Sequence, residues 1–288
     1  MDPVTMGIAG AIARAGKGSD DDGQIAQLLT RVLGPTADVI GQTLGRVAEI
    51  RLANIGRIVE NADKKLGDRA NGPGSVPLRV IGAIVEDGSY SDDRIFGEYL
   101  GGVLASAKTK DGRDDRAARW VKVITSLSAY DVRLHYLLYT AARELYVNRG
   151  ATIIQWGNET TYSELTVILD HSQVLQAMEF SESEDYDIVN DALFVLNNEG
   201  LVSNFMYGQK QQVNLRIHKE CPYWTAVYFT PTTLGVQLCM WAQGRGSEWR
   251  KFSSPKIELP QLEVPTIAEK MLVSSLPPFI VRAPQPNS

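Results

Sequence analysis

A chain of 288 residues, 44% apolar and 22% charged, can hold two domains with real cores and has the make-up of a soluble globular protein. Its formal net charge of -5 argues against a general nucleic-acid binder, while leaving room for a local basic face. Two cysteines, Cys221 and Cys239, form neither a disulfide framework nor a zinc pattern, which points to reduced, buried thiols and a cytoplasmic setting.

The first segment, 1–33, reads as a flexible arm. Met6 to Gly16 is a short Gly/Ala-rich run with Arg14 and Lys17 at its far end, the reverse of a secretory signal's charge order. It is also far short of the roughly 20 apolar residues of a spanning helix. Gly16 to Gly23 is a polar linker.

After Pro35 a long basic amphipathic helix is predicted. Ile40, Leu44, Val47, Ile55, Ile58, Val59, Ala62 and Leu66 form its apolar side, and basic residues from Arg46 to Lys65 its polar side. The breakers between Asn71 and Pro77 end this pattern. Leu78 to Val85 is read as a short helix, although its β-branched residues would also suit a strand. Next comes the segment that organises the domain. Ser91 is the expected N-cap, Asp92 and Asp93 follow it, and Phe96, Leu100, Val103, Leu104 and Ala107 recur every three or four residues. Gly101 and Gly102 fall mid-helix, where each costs about 1 kcal/mol against Ala, so another helix is expected to cross there at close range. A charged loop, Lys108 to Arg116, leads to a helix marked by Trp120, Val123, Ile124 and Leu127. Residues 34–128 thus read as an antiparallel helical domain.

Asp131 is expected to open the next helix, with His135 at a helix contact beside Leu138, Ala142 and Leu145. From Ala151 to Gln209 the chain carries no Lys or Arg, and Glu179, Glu182, Glu184, Asp185 and Asp187 form a candidate acidic surface for a basic partner. A helix over Tyr186 to Asn198 is closed by Gly200. Strands follow over 201–207, 213–217 and 225–229, and Thr230 with Pro231 should start a further helix to Gly244. That order is winged-helix-like and occupies 129–252. Prolines then recur to the end, so 253–288 reads as an extended Pro-rich arm that packs across the domains or onto a second subunit.

No catalytic spacing is present: GxSxG, P-loop, paired Cys-x-x-Cys and HExxH patterns are all absent. A non-enzymatic protein without cofactor or metal is therefore expected. The alternative is a DNA-binding regulator, with Lys210, Arg216, Lys219, Arg245, Arg250 and Lys251 as phosphate contacts among Tyr223, Trp224, Trp249 and Phe252. Its recognition helix, however, would carry Asp187, Asp191 and Glu199 and no base. A protein-interaction module fits that charge better. A third reading, a membrane-active effector, rests on Met6 to Gly16 and the basic helix.

Several packing features occur together between Gly34 and Tyr139. They are Gly34 with Pro35, the basic helix from Arg46 to Lys65, Ser91 to Asp93, the small residues Val103 to Ala107, and Leu127 to Asp131. In these the segment resembles the abortive infection alpha (Abi-alpha) family of bacterial proteins. The resemblance implies a role in phage defence through blocked growth of the infected cell, with no catalytic residues to carry over. The expected protein is mainly α: a helical domain, an α+β winged-helix-like domain and an arm, acting by protein binding and self-assembly.

Overall fold

The computed structural model describes residues 36–91, 93–148, 165–180, 186–217, 220–259, 262 and 279–282. The fold is mainly helical. Helix α1 spans Thr36–Leu66 and runs into a 3-10 turn, Gly67–Asn71. Then come α2 (Leu78–Glu86), α3 (Arg94–Ala107), α4 (Ala117–Ser126) and α5 (Ala129–Asn148). The later part interleaves β1 (Leu165–Asp170), α6 (His171–Ala177), α7 (Tyr186–Asn198), β2 (Val202–Gln209), α8 (Lys210–Ile217), β3 (Thr225–Pro231) and α9 (Thr233–Ala242). A 3-10 turn, Gly246–Lys251, and β4 (Phe279–Arg282) follow. Residues 1–33, the 149–164 stretch, and Glu182, Glu184, Asp185 and Lys219 lie outside the described residues, as does most of the arm.

Helix α3 is the central element, as its sequence predicts. Ile95, Phe96, Tyr99, Leu100, Val103 and Ala107 are all buried. Its two mid-helix glycines are each crossed by a different helix. A Cβ on Gly101 would stand 2.6 Å from the Asn61 Cβ and 2.9 Å from the Ile58 carbonyl oxygen of α1. A Cβ on Gly102 would stand 1.7 Å from the carbonyl oxygen of Ala242, at the end of α9. The propensity cost of both glycines is thus offset by backbone contact that no larger residue permits.

Three helix starts differ from expectation. Asp93, not Ser91, caps α3, its carboxylate accepting from the Ile95 amide at 3.0 Å. Ser128 precedes α5 and forms a capping box with Asp131: the Ser128 amide donates to the Asp131 carboxylate at 2.7 Å, and the Asp131 amide to the Ser128 hydroxyl at 3.2 Å. Thr232 caps α9, while Thr230 and Pro231 remain in β3. Each region offers several residues able to cap, and the role falls to the one directly before the first helical residue.

The sheet is antiparallel in the order β2-β3-β1-β4. In β1, Val167 and Leu169 pair with Phe229 and Val227 and enter the main core, whereas Ile168 pairs with Tyr228 on the opposite face. That opposite face, with Val213, Cys221, Tyr223 and Ala226, is covered by α8. The segment 213–217, expected as a strand, is the second half of α8. Val213 is buried while Leu215 is 77% exposed, so the two do not share the face that a strand would give them. Gln, Lys, Leu and Arg are good helix formers, and they decide the matter.

The main hydrophobic cluster is continuous from Ile58 on α1 to Leu262 in the arm and includes residues of α3, α4, α5, α7, β1, β3 and α9. The described part of the arm packs on its own chain. Leu262 is buried and its amide donates to the Tyr136 hydroxyl at 3.3 Å, and Arg143 donates to the carbonyls of Ser254 and Ile257. Further on, Phe279–Arg282 pairs with β1, so this piece beyond Pro277 is not free chain.

Candidate functional site

Asp187 and Asp191, from the stretch without Lys or Arg, fall on one helix face. Helix α7 buries Val189, Ala192, Leu193 and Leu196. Its other side presents Asp187, Asp191, Phe194 and Asn198, spaced by four, three and four residues along a single stripe. Of these, Asp187, Asp191, Phe194 and Asn198 are all exposed, and Glu199 extends the acidic margin. Phe194 is 52% exposed, and its ring meets that of Phe205 on β2 edge to face with centroids 5.0 Å apart. A half-exposed aromatic pair bordered by carboxylates resembles the centre and rim of a protein interface. Gly200, at φ 69°, closes the helix, and the Leu201 amide reaches back to the Leu196 carbonyl at 2.8 Å. The stripe therefore sits on a helix with a fixed end. Glu179, the other described acid of the predicted surface, lies just past α6 in a left-handed conformation, φ 65°.

The predicted basic residues do not form one patch. Lys210 starts α8 and pairs with Glu220 at 2.8 Å, and Arg216 is exposed at the far end of the same helix. Arg245 and Lys251 belong to the 3-10 turn and share Glu248, at 3.3 and 2.8 Å, while Arg250 lies over the Trp249 ring at 4.7 Å. Helix α8 covers the sheet, whereas the turn packs on α9 and α3. A basic wing thus has Arg216 as its one described cation without a described carboxylate partner.

Behind the stripe lies a buried polar network that sequence reasoning anticipated only as a helix-contact histidine. His135 is fully buried, its Nδ1 accepting from the Tyr99 hydroxyl at 2.9 Å and its Nε2 donating to the Gly235 carbonyl at 3.2 Å. Neutral imidazole with the proton on Nε2 satisfies both partners. Tyr139 stacks on the His135 ring and donates to the Leu201 carbonyl, and its oxygen accepts from the Thr232 amide at 3.0 Å. The Thr232 hydroxyl donates to the Gly200 carbonyl at 2.6 Å. Together these bonds tie α3 and α5 to the ends of α7 and β3 and the start of α9.

Burial lowers the His135 pKa from 6.5 to about 3, against the opposing pull of the Gly235 carbonyl. Since the unfolded chain binds the proton first, this group favours folding above pH 6.5, and that advantage is lost as pH falls toward 3. Stability should therefore drop by roughly 2 kcal/mol between pH 6.5 and pH 5, a slope of about 1.4 kcal/mol per unit. Urea titrations of wild type and His135→Gln across that range check it: the slope should be shallower in the variant.

Both cysteines are buried and free, and burial pushes the Cys239 thiol up to about 12, with Arg143 pulling the other way. Neither thiol should react with a disulfide reagent at neutral pH in the native protein, and both should react after unfolding. A native-state reaction would contradict that packing.

No protein-family model matches the chain, and searches of curated proteins and of solved structures likewise return no match.

Proposed function

We propose that the protein is a non-enzymatic interaction protein of bacterial phage defence, which binds a basic protein partner through the outer stripe of α7. The observation that carries this reading is Phe194, half-exposed against Phe205 and aligned with Asp187 and Asp191. An exposed aromatic supplies contact area, and the carboxylates select a partner of opposite charge and speed its approach. The absence of Lys and Arg from 151 to 209 keeps that selection undiluted. The phage-defence setting comes from the resemblance to the Abi-alpha family. In this reading the unit from α7 to α9 is a winged-helix-like module turned to protein binding. The DNA-regulator alternative has less support, since the acidic α7 would be repelled by a phosphate backbone and Lys210 is engaged by Glu220. No described helix is long and apolar enough to span a bilayer, and Met6 to Gly16, on which the membrane reading partly rests, lies outside the described residues.

Site-directed photo-crosslinking tests the reading. A photoreactive residue at position 194 should capture a basic protein in cells, and Asp191→Lys should remove the adduct while changing stability by less than about 0.5 kcal/mol. Adducts indifferent to the charge reversal, or adducts to nucleic acid, would overturn it.

A further inference from the structure

A second surface, on another side of the fold, carries its own chemistry. A cleft of 480 Å³ opens between α4, α9 and the 246–251 turn. That volume is in the range of small-molecule sites. Three indoles, Trp120, Trp241 and Trp249, line it, and Arg79, Arg119 and Lys122 stand among them.

The charges are not equivalent. Arg79 is paired with Asp115 at 2.8 Å, and Arg116 with Asp114 through its Nε at 2.7 Å. Arg119 and Lys122, three residues apart on α4, are exposed and have no carboxylate partner among the described residues. The cleft is thus positive within a chain of net charge -5, an arrangement that draws a small anion to this point and away from the rest of the surface.

The indoles are held in place. The Ser106 hydroxyl donates to the Trp241 carbonyl at 3.1 Å and accepts from the Gly246 amide at 3.1 Å. A Cβ on Gly246 would stand 2.4 Å from the Trp241 ring, so glycine lets the turn close directly on that indole. Trp249 is only partly buried, with the Arg250 guanidinium over its ring. Trp120 and Trp241 are buried and form the base of this aromatic wall, so Trp249 is its part with open surface; beside two cations without a carboxylate partner, it suits a ligand with a flat ring at one end and phosphate at the other.

We infer that this cleft binds a nucleotide, its base against Trp249 and its phosphates against Arg119 and Lys122. The nucleotide is either free or one unit of a single strand, since both present the same base and phosphate. Duplex nucleic acid keeps its bases stacked and cannot offer a ring to the wall. The inference does not depend on the α7 reading, and its variants leave that stripe untouched.

Tryptophan fluorescence of the full chain tests it with ATP, a short oligothymidylate and pyrophosphate as probes at low salt. ATP or the oligonucleotide should quench in a saturable way, and whichever binds more tightly identifies the source of the nucleotide. Pyrophosphate should bind roughly tenfold more weakly, because it lacks the stacking base. Arg119→Gln with Lys122→Gln should weaken the nucleotide probe roughly tenfold or more, and raised salt should do the same to wild type without any mutation. Trp249→Leu should weaken the nucleotide probe and leave pyrophosphate unchanged. The inference is overturned if neither nucleotide probe binds at roughly millimolar concentration, if pyrophosphate binds as well as ATP, or if binding ignores both salt and the double variant.

Discussion

Gly102→Ala should be the most damaging glycine-to-alanine change among the described residues, costing roughly 3 kcal/mol or more of folding stability. The added Cβ would lie 1.7 Å from the Ala242 carbonyl oxygen, 2.2 Å from its carbon and 2.8 Å from its Cα. All three are backbone atoms, so no rotamer change relieves the contact. The end of α9 would have to move off α3, dragging with it the turn Gly246–Lys251. Ala is intrinsically the better helix former, so propensity alone predicts the opposite sign. Gly82→Ala on α2 is the matched control, because nothing lies within 4 Å of its Cβ position. That variant should gain about 1 kcal/mol at most. Thermal and urea unfolding of the pair distinguish packing from propensity directly, and equal effects would contradict the crossing.

Lys65→Met is the second large expected loss. The Lys65 Nζ sits 2.5 Å from a carboxylate oxygen of Glu98 and 2.6 Å from the Glu98 backbone carbonyl, and both side chains are 6% exposed. Removing the cation leaves Glu98 buried beneath α1 without its principal counter-charge, at a cost of about 3–5 kcal/mol. The reciprocal half of the argument is what makes it testable. Desolvation opposes the pair itself, so Lys65→Met combined with Glu98→Leu should recover most of the loss. A double variant as unstable as the single would show that Lys65 acts through its carbonyl bond, and not through the ion pair. The site matters for assembly of the fold because Arg69, one turn on, donates to the Gly244 carbonyl at 3.2 Å, joining α1 to the end of α9.

The helical half was legible in the sequence because its apolar residues repeat at three and four. The paired glycines at 101 and 102 even announced close crossings, though not which helices make them. The sheet was less legible for physical reasons. Strand β1 is paired on both sides, by β3 and β4, and its Val167, Ile168 and Leu169 are all fully buried. An apolar run of that length shows no alternation, so it carries no strand period. The opposite error arose at 213–217, where apolar and polar residues alternate by chance on a helix too short to show its own period. The acidic helix and its exposed face were readable from Asp187 and Asp191, but the pairing of Phe194 with Phe205 needed the fold. The tryptophan cleft was hidden for a related reason. Trp120 read as a core residue and Trp249 as a companion of basic residues, and only tertiary structure brings the two to one cavity.

The central claim is that the α7 stripe does the protein's work in the cell. The most direct measurement is phage plating efficiency on a bacterial host expressing the wild-type chain or Phe194→Asp at equal soluble level, with unfolding curves for both. Phe194 is half in solvent, so the variant should fold with nearly wild-type stability. The account predicts reduced plating on wild-type cells and restored plating on the variant. A wild-type chain that leaves plating unchanged, or a folded Phe194→Asp that protects as well as wild type, would contradict it.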